Sequence, residues 1–108
     1  MTASKGASVL CIYRIKPGQE QAFLRLLERH WPTLRRVGLA TEAPAQVQRA
    51  TQRDGKTVFI EAFSWNSADA LALAHQSPEV MAVWEPMGAL CEGMEFLPVE
   101  PVALNFGA

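Results

Sequence analysis

Two histidines, one carboxylate in the middle of an apolar run and a group of large aromatic residues are the side chains here whose types and spacing bear on chemistry. Glu61 stands between Phe59 and Phe63 at alternate positions of the run Thr57 to Trp65, so on a strand the three share one face. A carboxylate on an apolar face is a candidate general base when a pocket buries it. It is equally a candidate for a salt bridge across the sheet to Arg14 or Arg49, or for the exposed rim of an interface. His75 ends the segment Ala68 to Ala74, in which only Asp69 is polar, on the helical face of Ala68, Leu71 and Ala72. It reads as a proton acceptor or phenol partner, or else as a ring capping the last carbonyls of a helix. His30 lies on an apolar helical stripe beside Trp31, either facing a pocket or hydrogen-bonded within the core. Tyr13, Trp31, Phe63, Trp65 and Trp84 suit an aromatic box around a planar ligand, although residues at such spacings also serve as plain core. Glu61 and His75 are thus the candidate catalytic groups, and Tyr13, His30, Trp31, Phe63, Trp65 and Trp84 the candidate substrate-binding ones.

Other chemistries lack their residues. There is no GxGxxG, phosphate loop, CxxC pair or HExxH, so dinucleotide, nucleotide and zinc sites have no support, and neither a cofactor nor a metal is expected. Cys11 and Cys91 match no secreted disulfide framework, which makes a reducing cytoplasm the expected compartment. The net charge is −1 with no long basic run, and Arg35-Arg36 reads as a solvated helix end; nucleic acid and anionic membrane are therefore not expected as partners. Near the N-terminus only Val9 to Ile12 is continuously apolar, too short for a signal-peptide core or a span.

The elements that must hold these residues follow from periodicity. In Ser8 to Lys16 the set Val9, Cys11, Tyr13, Ile15 alternates with Leu10, Ile12, Arg14, Lys16, a strand whose first half is apolar on both faces. After Pro17-Gly18 a helix carries Phe23, Leu26, Leu27, His30, Trp31 and Leu34 at spacings of three and four, with Pro32 expected to break or kink it. A polar strand from about Gln46 to Arg53 meets Asp54-Gly55, a hairpin signal in which both central residues are expected at positive φ. The strand containing Glu61 is apolar on both faces. Asn66-Ser67 reads as the N-cap of a helix buried all round, and Ser77-Pro78-Glu79 starts a further helix with Pro86 expected to kink it. A last strand runs from about Met94 to Val99. Residues 1–108 form one domain with an ordered core of about 8–100, and Met1 to Ala7 is expected to fray.

The order β-α-β-β-α-β is the ferredoxin-like α+β arrangement, a four-stranded antiparallel sheet with its helices on one face. Two central strands that are apolar on both faces need a second cover, because each Val, Leu, Ile or Phe left wet forgoes roughly 1.5–3 kcal/mol. With 49% hydrophobic and 19% charged residues, the composition agrees with apolar surface covered by a partner. A second copy packed sheet to sheet supplies it, so a homodimer is expected.

Tyr13-Arg14-Ile15-Lys16-Pro17-Gly18 running into Glu20, Ala22 and Phe23, then Phe63-Ser64-Trp65-Asn66-Ser67 with Ala70, then Ser77-Pro78-Glu79-Val80 through Trp84-Glu85, resemble the antibiotic-biosynthesis-monooxygenase-like domains of the dimeric α/β-barrel superfamily. The resemblance spans about residues 8–100. It implies a dimeric barrel with a pocket between sheet and helices in each subunit, where related proteins carry out cofactor-free oxygenation of polycyclic phenols, haem degradation or isomerisation. The haem-degrading branch uses an Asn early in the first strand and an iron-ligating His on the helix before the last strand. Neither stands here. The leading expectation is a cofactor-independent monooxygenase-like enzyme acting on a small aromatic or enolic substrate in an apolar pocket. The alternatives are a non-catalytic module binding a small apolar ligand and an isomerase or lyase on the same scaffold.

Overall fold

In a computed structural model, which describes residues 6–107, the elements run β1 (Ser8–Ile15), α1 (Glu20–Arg36), β2 (Gln46–Thr51), β3 (Thr57–Ser64), α2 (Ala70–His75), α3 (Pro78–Ala89) and β4 (Cys91–Val99). The sheet order is β2-β3-β1-β4 and every neighbouring pair is antiparallel. This is the ferredoxin-like α+β fold that the element order implies. The fraying expected of Met1 to Lys5 falls outside the described residues. Ala7, by contrast, is tied down, its carbonyl accepting from Trp65 N at 3.1 Å. Gly6 packs so closely that a β-carbon would stand 2.4 Å from Trp65 O, which leaves no room for any other residue there.

Register sorts the two faces. Cys11 pairs with Glu61 and Phe96, and Val9 with Phe63 and Pro98, so these side chains share the face under the helices. Val9, Cys11, Tyr13 and Ile15 are buried there, beneath Phe23, Leu27, His30 and Leu34 of α1 and Val80, Val83, Trp84 and Met87 of α3. The opposite face carries Leu10, Ile12, Ile60 and Ala62 on the central strands, all half-buried, with Leu97 and Val99 exposed at the β4 edge. Among the described residues no helix covers that apolar strip. A chain segment with Val102, Leu104 and Phe106 exposed continues beyond β4.

Several local expectations are corrected. Pro32 does not break α1, which runs through it to Arg36. The lost hydrogen bond and steric cost of about 3 kcal/mol are offset by keeping the stripe from Phe23 to Leu34 buried, at roughly 1.5–3 kcal/mol for each large side chain. α2 begins at Ala70 rather than after Asn66-Ser67, with no side-chain cap, because Asn66 is spent elsewhere: its N–H donates to Leu39 O at 2.8 Å and its amide to Gly38 O at 3.2 Å. Nor is α2 buried all round, since only Ala70 and Ala74 face inward while Leu71 and Leu73 lie outward. Ser77 caps α3 as expected, its Oγ accepting from Val80 N at 3.3 Å. In the β2–β3 hairpin only Gly55 has positive φ, at 85°. Gly55 N donates to Gln52 O and Gln52 N to Lys56 O, both at 2.9 Å, so the loop is a turn followed by a glycine bulge and Asp54 needs no left-handed conformation. β4 starts at Cys91, three residues earlier than its apolar alternation suggests, because pairing of Cys91 with Ile15 across a register shift extends the ladder.

Candidate functional site

Glu61 is at the centre of the molecule. β3 and β1 are the inner strands, and Glu61 sits on the helix-facing side of β3, opposite Cys11, with 0% exposure. Neither arginine considered as its partner reaches it. Arg14 pairs with Glu95 at 2.6 Å on the other face, and Arg49 approaches Glu20 at 3.6 Å with its guanidinium 5.3 Å from the Phe59 ring. The carboxylate is held instead by two uncharged donors. Tyr13 from β1 donates its phenol O–H to Oε1 at 2.6 Å, and His30 from α1 places Nδ1 2.9 Å from Oε1 and 3.1 Å from Oε2.

The other side of the imidazole identifies its tautomer. Trp84 of α3 donates its indole N–H to His30 Nε2 at 2.8 Å. An indole nitrogen only donates, so Nε2 carries the lone pair and Nδ1 carries the proton that faces Glu61. The result is a chain of four side chains from four elements: Tyr13 to Glu61, His30 to Glu61, Trp84 to His30. Hydrogen bonds to an ionised group are worth roughly 1.5–3 kcal/mol each, comparable with the several kcal/mol of desolvating the carboxylate, so the donors sustain a buried charge without a cation. Among the described residues no buried side-chain N or O atom lacks a partner.

The same charge acts on its neighbours. Burial, and then the charge of Glu61, pushes the Tyr13 phenol well above its ordinary range, so Tyr13 is a fixed donor and not an acid. Burial first and Glu61 second push the Cys11 thiol up to about 12, which makes it an inert neighbour.

An aromatic shell separates this chain from an apolar cleft. Phe63 meets His30 edge-on at 5.6 Å between ring centroids, and Phe96 lies 6.1 Å from Tyr13 and 5.8 Å from Trp84. The cleft, about 330 Å³, lies between β1, β4 and the start of α2, with Val9, Trp65, Ala68, Leu71, Phe96 and Pro98 forming its apolar lining. Phe96 belongs to both the cleft wall and the shell, and Trp65, 4.9 Å from Phe63, links them on the other side.

Tyr13, His30, Glu61 and Trp84, singled out separately in the sequence, are thus brought into one hydrogen-bonded chain, with Phe63 in the shell and Trp65 in the cleft wall. Two others stand apart. Trp31 is half-buried and its indole donates to Thr41 O at 3.2 Å, pinning α1 to the loop after it and away from the cleft. His75 is exposed, makes no side-chain hydrogen bond among the described residues, and meets Trp84 edge-on at 5.0 Å. Trp84 therefore stands between the two histidines, 6.2 Å from the His30 ring. Cys11, Phe96 and Leu71 were not among the sequence candidates. The alternation Met94, Phe96, Pro98 puts Phe96 on one side of β4, but only pairing with Cys11 shows which side.

Among the described residues there is no cluster of three or more His, Cys, Asp or Glu fit to hold a metal, and no helix is long and apolar enough to cross a membrane. No family model and no curated protein matches the sequence. Solved structures do match in three dimensions. At3g17210 from Arabidopsis thaliana superposes with a TM-score of 0.70 at 10% identity, covering 93% of this chain and 99% of that one. An antibiotic biosynthesis monooxygenase superposes with 0.65 at 18% identity, covering 89% and 98%. SnoaB, a cofactor-independent oxygenase from Streptomyces nogalater, superposes with 0.65 at 15% identity, covering 93% and 97%. The chain has the fold of the antibiotic-biosynthesis-monooxygenase-like domains that its first-strand and Trp65-Asn66-Ser67 residues resemble.

Proposed function

We propose that this protein is a cofactor-independent monooxygenase-like enzyme in which His30, oriented by Glu61, takes a proton from a small aromatic or enolic substrate that reaches past the aromatic shell from the apolar cleft. The observation that carries the proposal is the buried, cation-free Glu61–His30 pair, with Nδ1 facing the carboxylate at 2.9 Å and Nε2, the basic nitrogen, accepting from the Trp84 indole at 2.8 Å. In this chemistry a C–H or O–H bond of the substrate breaks, its proton goes to Nε2, and Glu61 stabilises the imidazolium. The electron-rich anion then combines with dioxygen to a peroxide. Loss of water turns a ring CH2 into C=O, so one oxygen atom enters the product and the other leaves with both substrate hydrogens. A dry apolar cleft suits these steps, since it keeps water from the anion. The fold shared with SnoaB agrees with this reaction class. In this reading Glu61, expected as a general base, instead orients His30, and the exposed His75, with no hydrogen bond to the chain, takes no part.

Oxygen consumption with a panel of hydroxylated polycyclic phenols tests the proposal. His30→Ala and Glu61→Gln are expected to lower turnover by 10²–10⁴-fold, the usual share of a general base, while His75→Ala stays near wild type. Full turnover in the first two variants would refute the assignment.

A second reading, a module that binds a small apolar ligand without turnover, draws support from the network itself: no buried side-chain N or O atom of the four lacks a hydrogen-bond partner. Ligand-induced thermal stabilisation with no oxygen uptake favours it. An isomerase or lyase is distinguished by turnover under nitrogen.

The half-buried strip of Leu10, Ile12, Ile60 and Ala62 further supports a homodimer formed sheet to sheet.

A further inference from the structure

We infer that Trp84 is a positioning residue that occupies the basic nitrogen of His30 until a ligand hydroxyl replaces its indole N–H, so that the site selects ligands carrying an O–H on an apolar ring. The inference rests on the base role proposed for His30 and adds the protein donor that the ligand must displace. Three observations carry it. First, the indole N–H at 2.8 Å fills the one lone pair that the tautomer leaves on His30, so an incoming molecule can only exchange with a hydrogen bond and cannot add one. Second, exchange at the other two links would strip a donor from a fully buried carboxylate, because among the described residues the side-chain hydrogen bonds to Glu61 come from Tyr13 and His30. Exchange at Trp84 leaves both donors in place. Third, Trp84 is the member of the chain at its edge, 9% exposed where Tyr13 and Glu61 are 0% and His30 is 1%. Its ring touches exposed His75 on one side and Phe96, part of the cleft wall, on the other. The hydroxyl that replaces the indole N–H is a donor of the same sense.

A ring without a hydroxyl gains nothing from the exchange and stays in the cleft, with the Trp84–His30 bond intact. The matched probes are 1-naphthol and naphthalene, followed by nitrogen-15 NMR of the whole protein, with the Trp84 indole signal assigned by its loss in Trp84→Phe. The expected results are an Nδ1–H His30 in the free protein, a Trp84 N–H that loses its exchange protection on addition of 1-naphthol, and no such change with naphthalene. In Trp84→Phe, which keeps an aromatic ring but has no donor to displace, 1-naphthol is expected to bind at least threefold more tightly while naphthalene affinity stays within twofold. Equal weakening of both ligands would make Trp84 a mere wall of the cleft and overturn the inference. So would a proton on Nε2 in the free protein, an indole signal that ignores 1-naphthol, or no binding of 1-naphthol to either protein. Thermal unfolding of Trp84→Phe verifies that the variant is folded. Because tautomer and displacement are measured without turnover, a protein that shows both and consumes no oxygen retains the ligand selectivity and loses only the oxygenase chemistry.

Discussion

Tyr13→Phe is the cleanest single perturbation of the buried chain. The ring stays, so its tilted contact with Phe23 at 4.9 Å and its edge contact with Phe96 at 6.1 Å are preserved, and no cavity larger than an oxygen atom opens. What is lost is the O–H donated to Glu61 Oε1 at 2.6 Å, at a position with 0% exposure. A hydrogen bond to an ionised group contributes roughly 1.5–3 kcal/mol, and here water cannot step in, so a loss of about 2 kcal/mol is expected. For a domain of this size that corresponds to a fall of about 1–2 M in the midpoint of urea unfolding with m unchanged. The measurement needs one fixed protein concentration, because a dimer would tie apparent stability to concentration. The reasoning also demands coupling: in Glu61→Gln the phenol no longer faces a charge, so the Tyr13→Phe effect should shrink by at least about 1 kcal/mol in the double mutant. A Tyr13→Phe variant within about 0.5 kcal/mol of wild type, or strict additivity with Glu61→Gln, would refute a buried carboxylate held by uncharged donors.

Three further outcomes are expected. Burial pushes the Cys11 thiol up to about 12 and the Cys91 thiol to about 11, from 9.0; above pH 9 the unfolded chain therefore releases thiol protons that the folded chain keeps. Each thiol then lowers stability by up to about 1.4 kcal/mol per pH unit until it ionises in the folded state, and chemical unfolding of the Cys11→Ala variant should show a shallower alkaline slope. Ile12→Lys places a charge in the middle of the uncovered sheet face without touching the helix side, so sedimentation should show dimers giving way to folded monomers. Leu71→Trp enlarges a side chain that lines the cleft and is 44% exposed, so it should abolish binding of naphthalene while stability stays within about 0.5 kcal/mol of wild type.

Much of the architecture is legible without coordinates. Alternation in Ser8 to Lys16 and Thr57 to Trp65, and the three-and-four spacing from Phe23 to Leu34, set element type and order, because a side chain's face follows from backbone period alone. Those same periods mark the two-sided apolar strands and show Glu61 to be out of place. Local signals fare worse where a residue has a distant claim on it: Asn66 looks like a cap and instead binds Leu39 and Gly38, and Pro32 looks like a stop inside a stripe that packing holds together.

The site itself is a product of tertiary structure. Its hydrogen bonds join residues separated by 31, 48 and 54 positions, and no local pattern encodes which helix lies over which strand or how far along it. Sequence put His75, at a helix end, forward as a candidate catalytic group and His30, on a buried stripe, as a candidate substrate-binding residue. The layer packing of α1 over β3 then set His30 against Glu61, while the exposed surface of α2 left His75 outside. Periodicity determines which way a side chain points from its own element, whereas the partner it meets depends on strand register and helix docking, which are settled only when the whole core closes.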